Sequence, residues 1–366
     1  MKLICDGLDL SDAVLKVSKA LSAKSTNPVL DGIKITAVGD TLNLLASDTE
    51  LTIEKRIKAE VLMEGETVVV GKYFVDFAKK LENEQVELSR IEEGQLQLKY
   101  SDSESELQVF PVENYPKTTS DEEGNYFEIS QKEFKKVVER TVFSCSSDDS
   151  RPILKGCLFE INNDVLTVVA LDGFRMAVIK KPVKSSGNFK AIIPSRTLIE
   201  MTRLSDKEDG TVKIYLNNNS LTVEFDDTRL ISRLIEGEFV KYNHILPTSF
   251  ANVVTVGRKA LNNSIERASI VARNDRYNIV RFEIKENVMT VTAKSEVGNV
   301  NENVNVILKG KDLTIAFNGK YILDFMKITD SETIKMNLNS PIDPCILQPA
   351  DEEDFLYLVL PVRINA

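Results

Sequence analysis

Few side chains in this sequence have the types and spacing that catalysis or metal binding requires. His244 is the only histidine, so a Ser-His-Asp or Cys-His site would depend on one imidazole. The four cysteines are scattered without a C-x-x-C pair, which indicates neither a zinc site nor a disulfide framework. The glycine-rich phosphate loop and the nucleophile elbow are both absent. We therefore predict that the chain is not an enzyme and that it has no cofactor.

The densest acidic segment covers residues 101–106, where Asp102, Glu104 and Glu106 alternate with serines. On a β-strand this alternation would place the three carboxylates on one face. Sites for hard cations usually mix carboxylates with carbonyl oxygens from turns. The stripe therefore favours a solvated or partner-facing strand edge over a metal site.

The elements that hold these residues belong to a repeated pattern. Residues 28–57, 152–181 and 278–306 each read as a strand, a short polar turn and a second strand. A repeat of roughly a third of 366 residues is a whole domain, since solenoid repeats span only about 20–50 residues. We predict three domains, at 1–124, 125–247 and 248–366.

Six segments have apolar residues at helical spacing, two in each repeat. They cover residues 10–24, 72–83, 130–142, 194–204, 257–271 and 318–327. Alternating segments between them predict strands. The expected fold is α+β, with two helices covering one face of an antiparallel sheet in each of the three domains. The sequence has neither a run of about 18 apolar residues nor an amino-terminal signal peptide, so we expect a cytosolic protein.

Charge is distributed unevenly between the predicted helices and the rest of the chain. Counting the fifth segment as 258–269, the six helical segments carry 17 lysine or arginine residues against 8 aspartate or glutamate residues, although the whole chain has a net charge of −10. Helix surfaces tolerate lysine well, and this alone would explain an excess of basic residues on any single helix. A shared excess in all six favours a positive surface that contacts nucleic-acid phosphates without reading sequence.

Several segments together resemble the bacterial DNA polymerase III beta subunit family, the replication sliding clamps. The resemblance covers the whole length and is most specific at residues 44–57, 171–181, 193–201, 233–247 and 357–364. It implies a head-to-tail homodimer, a ring of six similar domains with helices around a central hole that holds duplex DNA. It also implies partners in the replicative polymerase, the clamp loader and other proteins with clamp-binding peptides, and a cytoplasmic, nucleoid-associated location.

The resemblance implies a pocket for partner peptides between the second and third domains. Val240 stands where the family often has proline, and Phe174 where it commonly has histidine. The implied lining is Leu154, Leu171, Gly173, Phe174, Arg175, Met176, Val240, Tyr242, His244, Ile245, Asn318, Tyr321, Ile342, Pro344, Leu358, Val359, Leu360, Pro361 and Val362. On sequence alone, such apolar residues could equally be plain core.

Two further sets of residues are expected at interfaces. For DNA contact, positions that match those of the family point to Lys24, Lys72 and Arg151. The excess of basic residues on the helices adds Lys132, Lys136, Arg196, Arg203, Arg258 and Lys320. The resemblance implies that the first domain pairs with the third domain of the other subunit, and we predict that the acidic edge of the first domain makes a charge match there. The residues of that interface are Asp102, Glu104, Glu106, Ile270, Val271, Arg273 and Arg276, with the two arginines facing the carboxylates.

Two other classes of function are compatible with parts of this pattern. A protein-interaction scaffold without DNA would need only the repeated α+β domains, but it gives no reason for basic helices. A metal-dependent hydrolase could use scattered carboxylates, but the missing motifs and the single histidine oppose it.

Overall fold

Six α-helices are present in the computed structural model, which describes residues 1–22, 27–91, 94–116, 124–205, 210–273 and 278–363. They are α1 (Gly7–Val17), α2 (Gly71–Ala78), α3 (Gln131–Thr141), α4 (Ser195–Leu204), α5 (Arg258–Ala272) and α6 (Gly319–Lys327). All six predicted helices are confirmed. They differ from the predicted segments mainly at their ends. Helix α1 begins at Gly7, before the predicted start at residue 10, and continues after Val17 only as a 3-10 turn, Ser18–Ala20. Helix α2 stops at Ala78, before the predicted end at residue 83.

Strands make up most of the remaining described chain. The first thirteen are β1 (Lys2–Asp6), β2 (Gly32–Val38), β3 (Thr41–Ser47), β4 (Leu51–Lys58), β5 (Glu60–Met63), β6 (Gly65–Val70), β7 (Gln85–Arg90), β8 (Gln95–Tyr100), β9 (Ser103–Phe110), β10 (Asn125–Ser130), β11 (Gly156–Asn162), β12 (Val165–Leu171) and β13 (Arg175–Pro182). The others are β14 (Lys184–Ser185), β15 (Phe189–Pro194), β16 (Thr211–Leu216), β17 (Ser220–Phe225), β18 (Thr228–Arg233), β19 (Asn252–Gly257), β20 (Ile279–Lys285), β21 (Val288–Ser295), β22 (Gly298–Lys309), β23 (Leu313–Asn318), β24 (Thr333–Leu338), β25 (Cys345–Pro349) and β26 (Phe355–Val359).

The strand–turn–strand prediction is confirmed in all three repeats. β2–β3, β11–β12 and β20–β21 are antiparallel hairpins with two-residue turns. The turns contain residues with positive φ, such as Gly39 at 62° and Asn163 at 51°. Turns of this kind match the twist of the flanking strands and therefore fix the hairpin register.

The chain divides into two compact units. The N-terminal unit contains residues 1–132, 184–186 and 196–234, and the C-terminal unit contains residues 133–183, 187–195 and 235–366. The second repeat contributes to both units, because strands from it pair with strands of each neighbouring repeat. The predicted domain boundaries at 124/125 and 247/248 stay a prediction.

The N-terminal unit is built on a single sheet of fourteen described strands. Their order is β14-β10-β16-β17-β18-β4-β3-β2-β6-β9-β8-β7-β1-β5. Helix α1 begins after Asp6, whose carboxylate accepts hydrogen bonds from the amides of Leu8 (2.8 Å) and Asp9 (3.1 Å). Its Leu10 and Val14 are fully buried, so the predicted apolar stripe faces the core.

The C-terminal unit is built on a sheet of twelve described strands in the order β15-β11-β12-β13-β26-β25-β24-β19-β22-β21-β20-β23. Helix α5 packs on β20, β21 and β22 and beside α6. Leu261, Ile265 and Ala268 of α5 are fully buried, as their helical spacing predicts. This unit contains the core cluster on which the candidate site is built.

None of the helices in the described ranges has the length and apolar character needed to span a membrane.

Candidate functional site

An apolar cavity of about 140 Å³ opens on the C-terminal unit. Its lining comes from the turn between β12 and β13, from the end of β26 and from the segment before β19. The eight lining residues are Leu171, Gly173, Phe174, Arg175, Met176, Ile245, Leu358 and Leu360. All eight belong to the set that the family resemblance implied, although they come from three distant stretches of the sequence.

The turn at residues 172–174 forms one wall of the cavity. Asp172 Oδ1 accepts hydrogen bonds from the amides of Phe174 (2.9 Å) and Arg175 (3.0 Å). Gly173 has a φ of 94°, a backbone conformation that residues with a side chain rarely adopt, so glycine suits this position. The amide of Leu360 donates to the carbonyl of Phe174 at 2.9 Å and ties the segment after β26 to the turn.

Among the described residues that line the cavity, only Arg175 is charged. Its Nε donates to Asp172 Oδ2 at 2.9 Å and its Nη1 to Asp324 Oδ2 at 2.7 Å. The guanidinium lies 4.6 Å from the ring centroid of Tyr321 and 5.4 Å from that of Phe143. Burial opposes its charge, but the hydrogen bonds to these carboxylates and the neighbouring Tyr357 outweigh burial and raise the pKa of Arg175. The wall therefore contains a fixed, permanently charged cation.

The floor of the cavity is the hydrophobic core itself. Leu171, Met176 and Leu358 are at most 6% exposed and belong to one buried cluster. The rim is different, because Phe174 is 60% exposed and Ile245 is 39% exposed. The ring of Phe174 stacks on Tyr321 with centroids 6.4 Å apart. A buried floor with an exposed aromatic rim suits a short segment anchored by apolar side chains.

The structure does not bring every residue of the implied pocket into the cavity lining. Leu154 and Tyr242 are buried in the cluster beneath it. The hydroxyl of Tyr242 donates to Glu160 at 3.0 Å, and burial together with this carboxylate raises the pKa of Tyr242 to about 12. Val359 is fully buried in the ladder between β13 and β25.

The other implied residues lie outside the cavity lining. Val240 is 42% exposed and Ile342 is 64% exposed, and His244 is also exposed. Asn318 caps α6, because its side chain accepts a hydrogen bond from the amide of Lys320 at 3.0 Å. Tyr321, Pro344, Pro361 and Val362 are partly exposed.

The first repeat provides an internal comparison for this turn. Counting back 124 residues, Leu171-Asp172-Gly173-Phe174 corresponds to Ser47-Asp48-Thr49-Glu50. There the aspartate is kept, but the apolar positions are polar. Arg196 donates both to Asp48 and to the carbonyl of Lys19 (2.8 Å for the latter), so an arginine occupies this turn. The turn that lines the cavity is therefore apolar in the second repeat and polar at the corresponding place in the first repeat.

Two contacts of the C-terminal unit were not expected from the sequence. Asp324 of α6, distant from the β12–β13 turn in sequence, binds Arg175. Arg140 is only 4% exposed and forms two hydrogen bonds to Glu352, 212 residues away. No local pattern identifies such partners, because ion pairs of this kind have no fixed spacing.

The predicted excess of basic residues on the helices is smaller in the structure. The six helices of the described residues carry 13 lysine or arginine residues against 8 aspartate or glutamate residues, a difference of 5 where the predicted segments gave 9. The change arises because Lys19, Lys79 and Lys80 lie beyond the observed helix ends. Lys24 lies outside the described residues.

The predicted DNA-contacting residues fall into two groups by their side-chain partners. Four are already engaged: Lys136 with Glu352 at 3.5 Å, Arg203 with Glu200 at 2.6 Å, Arg196 with Asp48, and Arg258 with the carbonyls of Ser331 (3.0 Å) and Met326 (3.3 Å). Lys72, Lys132, Arg151 and Lys320 are exposed, and none of them lies within ion-pairing distance of a carboxylate in the described part of the chain. These four are the available cations of the predicted set.

Two strand edges are unpaired within the described residues. Residues 103–108 of β9 pair only with β8, and residues 298–305 of β22 pair only with β21. Glu104 and Glu106 are exposed on the first edge. Asp102 departs from the prediction, because it lies in the turn between β8 and β9 and does not share the strand face of the two glutamates.

The residues expected near the second edge are also exposed. Ile270, near the end of α5, is 63% exposed, Val271 is partly exposed, and Arg273 follows the helix on the surface. Arg276 lies outside the described residues. An unpaired edge beside an exposed apolar side chain has the properties of a protein-binding surface.

In the described residues, no group of three or more histidine, cysteine, aspartate or glutamate side chains is arranged to hold a metal ion.

Comparison with known proteins gives one consistent result along the whole chain. Sequence models of the DNA polymerase III beta subunit match in order: the N-terminal domain at residues 1–119, the central domain at 128–241 and the C-terminal domain at 243–363. The beta sliding clamp of Halalkalibacterium halodurans is 31% identical over 362 residues, covering 95% of each chain.

Solved structures agree with this sequence match. The DNA polymerase sliding clamp of Bacillus subtilis superimposes with a TM-score of 0.96 at 26% identity, covering all of both chains. The DNA polymerase III beta subunit of Thermotoga maritima superimposes with a TM-score of 0.94 at 29% identity, also covering all of both chains.

Proposed function

The chain belongs to the DNA polymerase III beta subunit family, and we propose that it acts as a DNA sliding clamp. In this role it encircles duplex DNA without reading sequence and tethers the replicative polymerase and other replication or repair proteins to the template. The observation that carries the proposal is the succession of three beta-subunit domains along one chain. A clamp is a processivity factor and not an enzyme.

Assembly into a ring would use the two unpaired strand edges. Inside the chain, successive repeats are joined by antiparallel pairs: β4 with β18, from Leu51↔Ser232 to Lys55↔Thr228, and β13 with β26. In the third repeat, β22 takes the place of β4 and β13, and residues 298–302 would form its side of the pair. In the first repeat, β9 takes the place of β18 and β26, and residues 103–107 would form the other side. Because these edges lie in different repeats, they would pair between two copies, head to tail.

The internal pairs also give the register of the proposed interface. They place Glu104 opposite Asn301 and Glu106 opposite Asn299 of the other copy. The predicted charge match with Arg273 and Arg276 remains a second proposal for the same carboxylates. In either case the exposed Ile270 and the neighbouring Val271 would be covered by the partner copy.

Contact with DNA is assigned to the available cations. Lys72, Lys132, Arg151 and Lys320 are exposed and would neutralise phosphates as two copies close around the duplex. Lys24 stays in the proposal through its matching position in the family. Lys136, Arg196, Arg203 and Arg258 are weaker members, because each already has a partner within the chain.

Partner proteins would dock a short peptide in the cavity at the β12–β13 turn. The buried floor would receive apolar side chains, and Arg175 would donate to a peptide carbonyl or carboxylate at the wall. Work on chromosomal DNA implies a cytoplasmic location, associated with the nucleoid. The alternative function is a protein-interaction scaffold that does not bind DNA. It would also use the pocket, but it would not encircle DNA.

The experiment that tests the proposal distinguishes a ring from a scaffold. The purified protein is loaded onto nicked circular DNA with a clamp loader, and the complex is isolated by gel filtration before and after linearisation with a restriction enzyme. We expect the protein to stay on the circle and to leave the linear DNA. Equal retention on both forms, or none on the circle, would contradict the sliding-clamp proposal.

A further inference from the structure

Two of the four cysteines lie in contact with each other in the C-terminal unit. The Sγ atoms of Cys145 and Cys157 are 3.5 Å apart. Cys145 follows a 3-10 turn, Val142–Ser144, and is partly exposed, whereas Cys157 is fully buried in β11. Cys145 is therefore the less buried residue of the pair, and its thiol is the one assigned to meet an oxidant first.

The backbone around the pair is already closed. The amide of Ser146, next to Cys145, donates to the carbonyl of Leu154 at 2.8 Å. This hydrogen bond closes the segment from Ser146 to Leu154, which lies between the two cysteines. A disulfide has an S–S distance of about 2.05 Å, so the sulfur atoms would need to approach by roughly 1.5 Å. Small rotations of two cysteine side chains can supply a movement of that size.

We propose that Cys145 and Cys157 form an oxidisable dithiol that a peroxide converts into a disulfide. The thiolate of Cys145 attacks one oxygen of the peroxide, the O–O bond breaks, and Cys145 becomes a sulfenic acid; the leaving hydroxide takes up the proton that the Cys145 thiol had released and forms one water. The sulfur of Cys157 then attacks the sulfur of Cys145, the S–O bond breaks, and the leaving hydroxide takes the proton of the Cys157 thiol to form a second water. Two thiols are oxidised by the loss of two hydrogen atoms, and one hydrogen peroxide is reduced to two waters.

The disulfide would enclose a loop that contains residues from two proposed sites. Arg151, proposed for DNA contact, and Leu154, beneath the peptide cavity, both lie between the cysteines. Because the neck of the loop is already closed, oxidation would fix the conformation seen here. We therefore expect oxidation to raise thermal stability.

The neighbours of Cys145 determine how fast the first step can be. Its hydrogen bond to Cys157, burial and the Asp172 carboxylate raise the pKa of the Cys145 thiol, while Arg175 acts in the opposite direction. The thiolate is the attacking form, so oxidation should be slow at neutral pH and faster in alkaline solution. The pair would then respond to sustained exposure to oxidant.

The test uses the full-length protein, reduced and then treated with hydrogen peroxide. Free thiols are counted after denaturation, and peptides are mapped without reduction. We expect the count to fall from the four cysteines of the sequence to two, with a Cys145–Cys157 cross-link that dithiothreitol reverses. The melting temperature of the oxidised protein should exceed that of the reduced protein.

Matched variants separate this pair from the other thiols. Cys345→Ser should still lose two thiols, because Cys345 is fully buried in another strand. Cys145→Ser should keep its three remaining thiols. An unchanged count in the natural sequence, a sulfinic acid at Cys145 without a cross-link, or links to Cys5 or between chains would overturn the proposal.

Discussion

At the scale of single residues, Phe174 and Arg175 give the cavity its character. Phe174 presents an exposed ring stacked on Tyr321, and the guanidinium of Arg175 lies on the same tyrosine. The result is an aromatic rim backed by a fixed cation. A peptide side chain that covers Phe174 would bury apolar area on a surface that is already ordered, so little conformational entropy would be lost.

Removal of the Phe174 ring should therefore weaken partner binding without unfolding the chain. For Phe174→Ala we expect the affinity for a synthetic clamp-binding peptide to fall roughly 5- to 30-fold, or about 1–2 kcal/mol. Fluorescence anisotropy of the labelled peptide measures this change. Val165→Ala is the matched control, since Val165 is 40% exposed but lies at the far end of β12. Equal losses in both variants would argue against a role for the rim.

The Arg140–Glu352 ion pair makes a prediction about pH. The hydrogen bond from buried Arg140, together with Lys136, lowers the pKa of Glu352 from its ordinary value near 4.5 to about 2. A carboxylate with a lowered pKa in the folded state stabilises the fold above its unfolded pKa. This stability should be lost as pH falls from about 4.5 towards 2.

Glu352→Gln tests this linkage. At pH 7 we expect the free energy of unfolding to decrease by about 1–2 kcal/mol, allowing for solvent screening of a partly exposed carboxylate. The difference from the natural sequence should shrink as the pH approaches 3, and urea unfolding at several pH values would measure it. Glu353→Gln, at an exposed neighbouring position, should change little at any pH. A constant difference between pH 7 and 3 would exclude the ion pair as the cause.

At the scale of elements, strand edges determine how repeats join. β18 of the second repeat pairs with β4 of the first, and β26 of the third repeat pairs with β13 of the second. The corresponding edge of β22 has no partner in the described chain. In the described chain, residues 103–108 of β9 pair with β8 on one side and have no partner on the other. In the tight turn that joins β8 to β9, the closing pair Tyr100↔Ser103 directs its backbone groups towards β8. The backbone groups of Glu104 and Glu106 would then face the free edge.

Two variants at this edge separate a backbone ladder from a charge match. Glu106→Pro removes an outward amide and should weaken the proposed dimer at least about tenfold, because proline cannot donate to a ladder. The double variant Glu104→Lys, Glu106→Lys keeps all backbone amides. If asparagines face these positions, we expect little change in its dissociation constant, whereas a match with Arg273 predicts marked loosening. Analytical ultracentrifugation measures both, and a Glu106→Pro dimer of unchanged affinity would contradict the proposed pairing.

At the scale of the whole molecule, an acidic chain must still hold DNA. The net charge is −10, and many basic residues of the helices are already paired with carboxylates or carbonyls. Binding is then expected to depend on described cations without a carboxylate partner, such as Lys72, Lys132, Arg151 and Lys320, and on the closed topology proposed for the dimer. A closed ring retains DNA even where each phosphate interaction is weak.

Neutralising the available cations should change the salt dependence of DNA binding. For the triple variant Lys132→Gln, Arg151→Gln, Lys320→Gln, we expect the slope of log K against log salt to become shallower by roughly 0.9 for each phosphate that the protein no longer neutralises. Titration of duplex DNA at several salt concentrations measures this slope. Arg258→Gln is the comparison, because Arg258 is bonded to backbone carbonyls and should change the slope less than the triple variant does. An unchanged slope in the triple variant would remove these residues from the proposed DNA-binding surface.

Local sequence patterns account for the repeated elements. Apolar residues at helical spacing, as in Leu261, Ile265 and Ala268, and polar turns such as the one at Asn163 depend on neighbours within a few residues. Their types and order could therefore be predicted, and so could the family, which follows from many such segments in one order. The helix ends were predicted less accurately. The cap at Asp6 accepts from the amides of Leu8 and Asp9, a local signal that lies outside the apolar stripe, and α2 stops at Ala78, before the end of its predicted segment.

Contacts between residues distant in sequence became visible only in the folded chain. It brought residues near 171–176, 245 and 358–360 around one cavity, and it left Val359 in the core. It also showed that Arg258 is bonded to carbonyls, and that Arg140 faces Glu352 across 212 residues. Such contacts follow from strand pairing between distant repeats, as in β13 with β26, and pairing of this kind leaves no periodic signal in the sequence.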